Sequence, residues 1–402
     1  MTNLPQGWKM ETLGEILSSD KYSIKRGPFG SALKKSFFVE KGIRIFEQYN
    51  PINNDPHWKR YFISHEKFQE LEAFKATEGD LLISCSGTLG KIVELPKDTE
   101  MGIINQALLK IRLNNIKILN SYFIYYFNSP IMQEKILEST LGSTIKNIAS
   151  VKILKQIEIP LPPLKKQERI VGILDESFAK IDESIKILEQ DLLNLDELMQ
   201  SALQKAFNPL KDNAKENYKL PQGWEWKSLE EISENISAGG DKPKNCTESK
   251  TAKNQIPVYA NGVNNNGLVG YTDKATIIKP SLTISARGTI GFVCIRKEPY
   301  FPIVRLISLI PCENILCLHY LYFCLNFFIA KGEGSSIPQL TIPKFKSLQI
   351  PLPPLKEQEQ IAKHLDFVFE KTKALKELYT KELKDYEELK QSLLNKAFKG
   401  KL

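Results

Sequence analysis

Neither GxGxxG nor GxxxxGK[S/T] occurs in this chain, so no glycine loop is placed to cradle a nucleotide. No GxSxG elbow is present, which removes the usual strand-to-helix presentation of a nucleophilic serine. Only four histidines occur, His57, His65, His319 and His364, and they are too scattered for metal-ligand spacing. The six cysteines, Cys85, Cys246, Cys294, Cys312, Cys317 and Cys324, form no CxxC pair and sit mostly among apolar residues. That pattern reads as reduced core thiols rather than a zinc site or a disulfide frame. Two tripeptides, Glu225-Trp226-Lys227 and Glu248-Ser249-Lys250, have the E-x-K form of some nucleases but lack further placed carboxylates. Each Pro-Pro pair is followed by Leu, so the Pro-Pro-aromatic signature of amino-methyltransferases is missing. The longest apolar stretch, 316–329, carries His319 and Asn326 and is too short to span a bilayer. With no apolar leader at the start, the expectation is a soluble, cytoplasmic chain without catalytic machinery or a metal site of its own.

Charge is unevenly spread. Residues 1–166 hold 23 Lys+Arg against 17 Asp+Glu, and residues 216–356 hold 16 against 11. Residues 167–215 hold 6 against 10, and residues 357–402 hold 10 against 9. Two basic blocks alternate with two near-neutral or acidic segments, which suggests two polyanion-binding surfaces.

The chain repeats itself. LPQGW stands at 4–8 and 220–224, and IPLPPLK at 159–165 and 350–356. Both copies of the latter run into a Gln-Glu pair, at 167–168 and 358–359. SALQKAF at 201–207 matches SLLNKAF at 392–398, and SCSGTLGKIV at 84–93 matches SARGTIGFVC at 285–294. The edges of the repeat are alike and its interiors have diverged. A duplicated scaffold carrying two different readers would look like this, and so would a purely structural duplication.

IPLPPL predicts a rigid extended turn, because proline removes donors and holds the preceding residue extended. From 167 to 207 there is no proline, and an apolar stripe recurs every three or four residues at Val171, Leu174, Phe178, Ile181, Ile185, Leu188, Leu192, Leu195 and Met199. That spacing is a coiled-coil seam, on a rod of roughly 60 Å. From 358 to 398 the stripe is less regular: Leu365, Phe369, Leu375, Tyr379, Leu383, Tyr386, Leu389 and Leu393. The irregularity predicts a stutter. Two helices of matched length and matched ends are each other's natural partners, antiparallel if the repeats are related by a pseudo-two-fold axis. The blocks are α/β or α+β, with β-like runs at 80–84, 91–95, 107–113 and 283–285, and matching apolar helices at 122–127 and 320–325.

Within the blocks, Ser84, Ser86, Gly87, Thr88 and Lys91, and in the second copy Arg287, Gly288 and Thr289, lie in glycine loops between β-runs. Serine, threonine, lysine and arginine donate to phosphate oxygens, and arginine can pair with guanine through two bonds. Plain hairpin turns would have the same composition. Ser143, Thr144 and Lys146, with Ser335 and Ser336, form a second pair of turns that are helix N-caps or phosphate sites.

LPQGW, a divergent block closed by IPLPPLK-x-QE, and a long helix, all present twice, resemble the specificity subunit of Type I restriction–modification enzymes. The resemblance covers essentially the whole chain. It implies target-recognition domains at 1–166 and 216–356, and long helices at 167–215 and 357–402 forming an antiparallel coiled coil. It also implies double-stranded DNA as ligand, read as a bipartite asymmetric site, with two modification (methyltransferase) subunits and the restriction subunits as partners. S-adenosylmethionine, ATP and Mg belong to those partners, with no cofactor in this chain. The family has no fixed motif of base-contacting residues, so the resemblance assigns none here. A specificity subunit of a Type IIB-like assembly, or a coiled-coil interaction protein without DNA specificity, remains an alternative.

Overall fold

The computed structural model describes residues 5–138, 148–207, 220–329, 332–333 and 340–402. Two compact units emerge, Met1–Leu188 with Lys381–Leu402, and Glu189–Thr380. Each unit takes part of both long helices, because a helix end buries apolar surface in each globular core.

In the first unit a four-stranded antiparallel sheet has the order Ile24–Arg26, Leu108–Ile111, Leu81–Ser84, Ile92–Glu94. A mixed five-stranded sheet includes Ile43–Phe46 and Gly102–Ile104, paired in parallel. In the second unit the four-stranded sheet runs Ser233–Ala238, Ile307–Pro311, Ser281–Ile284, Val293–Arg296. Beside it lies a three-stranded sheet containing Ile256–Tyr259. Each four-stranded sheet packs with an apolar helix, Asn120–Phe127 or Leu318–Phe328, in one contiguous core. The fold is thus mixed α and β, built twice.

The repeated motifs are structural clamps. In both LPQGW copies the tryptophan N–H closes a turn onto the proline carbonyl, at 3.1 Å. The next strand, Lys9–Thr12 or Glu225–Ser228, pairs antiparallel with Glu158–Leu161 or Gln349–Leu352, where IPLPP begins. Its first proline carbonyl accepts a buried phenol: Tyr122 donates to Pro160 O at 2.7 Å and Tyr320 to Pro351 O at 2.6 Å. The glutamine of the QE pair is fully buried in both copies. Gln167 donates to Lys117 O and Pro162 O and accepts from Leu119 N. Gln358 donates to Ile315 O and Pro353 O and accepts from Cys317 N. A buried amide is tolerated only when satisfied in this way.

The long helices are Leu164–Phe207 and Leu355–Phe398, 44 residues each. Each begins before its QE glutamine, since the fixed φ of proline suits the entry to a helix. Along the first, Leu174, Ile181 and Leu188 are buried, and Val171, Phe178, Ile185, Leu192, Leu195 and Met199 are half-buried. Along the second, Leu365 is buried, and Phe369, Tyr379, Leu383, Tyr386 and Leu393 are half-buried.

Leu375 and Leu389, read as part of the second stripe, instead point outward, with 38% and 44% exposure. The seam positions beside them belong to Thr372, Lys376 and Lys390. With these included, the spacing of three and four is unbroken and no stutter is needed. Lysine can hold a seam position because its stem covers apolar surface while its ammonium escapes to the edge. Lys390 reaches Asp182 at 2.5 Å within the first unit, and Lys376 reaches Asp196 within the second. Each pair ties the first long helix to the second within its own unit.

Candidate nucleic-acid interface

Both glycine loops are hairpin tips with the same backbone. Residues 85–91 join Leu81–Ser84 to Ile92–Glu94, and residues 285–292 join Ser281–Ile284 to Val293–Arg296. Gly90 N–H donates to Ser84 O, and Gly291 N–H to Ser285 O, at 3.0 Å in both. Gly87 and Gly288 hold φ of 66° and 71°, the left-handed conformation that glycine adopts without a Cβ clash. The residue before each of these glycines is Ser86 in one tip and Arg287 in the other.

A second element meets each tip. The chain leaves Ile43–Phe46 into Gln48, whose Oε1 accepts from the Ser86 hydroxyl at 3.4 Å. It leaves Ile256–Tyr259 into Asn261, whose Oδ1 accepts from Ala286 N–H at 2.8 Å. Gln48 and Asn261 occupy equivalent places: Asn105 N–H donates to Phe46 O, and Ile303 N–H to Tyr259 O. Sequence reading missed this pair. The one signal available was an amide two residues beyond an aromatic strand end, in stretches that otherwise share nothing (FEQYN and YANGV).

The candidate residues divide by burial. Ser84 is fully buried and its hydroxyl accepts from Lys91 N–H at 3.0 Å, so it braces the tip and cannot meet a ligand. Gly87, Thr88, Lys91, Arg287 and Gly288 are exposed, and Ser86 and Thr289 are half-buried. Ser143, Thr144, Lys146, Ser335 and Ser336 lie outside the described residues. Burial pushes the Cys85 thiol up to about 12, which fits a core thiol at the root of the tip.

The surfaces differ in chemistry. Around the first tip stand Gln48, Ser86, Thr88 and Lys91, and next to Gln48 Tyr49 stacks on Trp58 at 4.2 Å between centroids. The second tip borders a cavity of about 450 Å³ lined by Gly239, Gly240, Asp241, Lys242, Arg287 and Arg305. Hydroxyls, amides and the exposed Lys91 ammonium surround the first tip, and guanidinium groups flank the second. Among the described residues no group of three metal-ligating side chains gathers, and no helix is long and apolar enough to cross a membrane.

The profile of the type I restriction modification DNA specificity domain matches residues 5–192 and again residues 221–385. The chain belongs to this family. Its two matched segments are the two halves of the repeat. A candidate type I specificity subunit of Mycoplasma pneumoniae is 33% identical over 217 residues, 54% of this chain and 56% of that one. The chain therefore spans about half the length of that relative. The specificity subunit of the type I enzyme EcoBI of Escherichia coli is 22% identical over 80% of this chain and 73% of its own. The HsdS subunit of Thermoanaerobacter tengcongensis shares the fold, with a TM-score of 0.63, 20% identity and coverage of 99% and 98%. A chain from a structural study of type I R-M assembly matches with a TM-score of 0.81 and 20% identity over 100% of both chains. The chain thus matches the domain of this DNA specificity family twice, with different side chains at equivalent tips.

Proposed function

We propose that this chain is the specificity subunit of a type I restriction–modification system and that each unit reads one half of a bipartite, asymmetric DNA site. The observation that carries the reading is the duplicated tip: one backbone device, present twice, offering hydroxyls, amides and one lysine in one unit and arginines in the other. Equal readers would serve a palindrome, and unlike readers serve an asymmetric site. The basic excess of residues 1–166 and 216–356 suits the phosphate backbone that both would approach.

The chain carries no catalysis of its own in this reading. Two modification subunits supply methyl transfer with S-adenosylmethionine, and restriction subunits supply ATP- and Mg-dependent translocation and cleavage. The long helices are where such partners dock. Ile187, Leu193 and Leu198 on the first helix, and Phe367, Leu378 and Leu389 on the second, are 44–59% exposed, an apolar surplus beyond the seam.

The test is to express the full chain with its modification subunit and sequence the methylated DNA. A two-part asymmetric motif is expected. Methylation without sequence preference, or a single continuous motif, overturns the reading.

A further inference from the structure

The second unit contains three arginines, and they differ in employment. Arg296 is buried; its Nε donates to Thr283 Oγ1 at 2.9 Å and its guanidinium lies 3.6 Å over the Tyr259 ring. It is a structural residue. Arg287 and Arg305 are exposed and line the cavity with Lys242 and Asp241, and among the described residues no ion pair or side-chain hydrogen bond engages either guanidinium.

The backbone that presents Arg305 is strained. Val304 and Arg305 hold φ of 53° and 59°, two successive non-glycine residues in the left-handed region. A β-branched residue there is an outlier, and such conformations persist only where the surroundings over-determine them. Here they do. Val304 N–H donates to Gly240 O and Arg305 N–H to Gly239 O, both at 2.8 Å. Gly239 permits this approach: a Cβ on it would lie 2.6 Å from Ile303 N. Asn261 donates from Nδ2 to Val304 O at 2.7 Å while its Oδ1 accepts from Ala286 N–H at 2.8 Å. One amide therefore ties the strained turn to the hairpin tip, and the two arginines are held by one clamp.

We propose that Arg305, with Arg287 beside it, reads a guanine in the half-site bound by the second unit. This deepens the reading above and rests on it. Guanine offers O6 and N7 as paired acceptors in the major groove, the arrangement that a guanidinium matches with two bonds. Asp241 in the same cavity can accept from the cytosine N4 amino group, so the lining holds partners for both bases of a G·C pair. Asn261 is a positioning residue that sets the separation of the two arginine-bearing loops.

The experiment compares wild type, Arg305→Ala, Arg305→Lys, Arg305→Gly and Asn261→Ala as full chains with the modification subunit, scoring selection from randomised duplexes and thermal stability. Wild type selects a guanine in one half-site. Arg305→Ala loses roughly 5- to 150-fold discrimination at that one position and keeps the other half-site. Arg305→Lys keeps the salt dependence and loses part of the discrimination, because an ammonium on a flexible stem lacks the fixed fork of the guanidinium. Arg305→Gly also loses it, yet melts about 2–4 °C higher, because glycine relieves the left-handed strain. Asn261→Ala relaxes the same position with an unchanged salt slope. Uniform weakening of Arg305→Ala on all sequences, an unchanged motif, or a lower melting point for Arg305→Gly would overturn the assignment. So would Asn261→Ala selecting the wild-type motif. A wild type that selects no motif at all overturns the function on which the assignment rests.

Discussion

The ring of Phe398 stands edge-on to Tyr126, with 5.1 Å between centroids and 75° between planes. It meets Tyr122 in the same manner at 5.4 Å, so the end of the second long helix plugs the core of the first unit. At the same place in the first repeat, Phe207 stands edge-on to Tyr320 at 5.5 Å and plugs the core of the second unit. Phe398 is 4% exposed and its neighbours are nearly fully buried. Phe398→Ala should cost about 3–5 kcal/mol in the first unit, the range for removing a buried aromatic ring. Hydrogen exchange should show lost protection around 108–127 and unchanged protection around 281–325. Uniform loss across both regions would show that the plug acts on the whole chain and not on one unit.

The seam should respond to apolar and ionic changes very differently. Ile185 and Leu188 lie mid-helix on the seam, half-buried and buried respectively. Replacing both with Asp places two charges in an apolar interface and should cost several kcal/mol, on the order of the penalty for unpaired buried charge. Specific binding to two-part DNA should be lost. The Asp182–Lys390 pair has 62% and 16% side-chain exposure, so a double-mutant cycle should yield at most about 1 kcal/mol and shrink in high salt. A coupling several times larger would mean that ion pairs, and not the apolar stripe, hold the helices together.

Glu47 precedes the Gln48 amide that meets the first tip. Its Oε2 is buried with no hydrogen-bond partner among the described residues. Burial pushes its pKa above the ordinary 4.5, with Arg60 pulling the other way. A raised carboxyl pKa means that stability is full below the unfolded value and is lost as pH rises through the folded one. Glu47→Gln should therefore melt at nearly the wild-type temperature near pH 4 and above it at pH 7. A gap that stays constant with pH would show that the carboxyl is not strained by ionisation.

Residues 1–210 contain the first globular block and one complete long helix but lack the Phe398 plug. The helix stripe and the Tyr122–Tyr126 socket both stay uncovered, and each buried Leu or Ile is worth roughly 1.5–3 kcal/mol. A second copy can cover both, because its helix repeats the missing one and its Phe207 stands where Phe398 does. The fragment should form an antiparallel dimer and, with the modification subunit, methylate an interrupted palindrome of the first half-site. Phe207→Ala in the fragment should weaken the dimer. A monomeric fragment, or methylation of the original asymmetric motif, would contradict the antiparallel pairing.

The sequence by itself determined the architecture, because duplicated local chemistry survives divergence. Proline cannot join a ladder as a donor, so IPLPP marks the same strand end in both repeats, and the following glutamine satisfies the same orphan groups. The regular stripe from Val171 to Met199 could only be a seam. What lay beyond the sequence was anything that depends on groups from distant segments meeting. Thr372, Lys376 and Lys390 do not look apolar, and only the facing helix with Asp196 and Asp182 shows that they complete the second seam. Ser84 looks like a loop donor, yet tertiary packing buries it completely. Nothing in the string VRL announces left-handed backbone at Val304 and Arg305. That conformation exists because Gly239, Gly240 and Asn261, contributed by two other segments, supply hydrogen bonds that outweigh the local steric cost. Local preference settles which elements form; the pairing of remote polar groups settles which side chains are left free to meet a ligand.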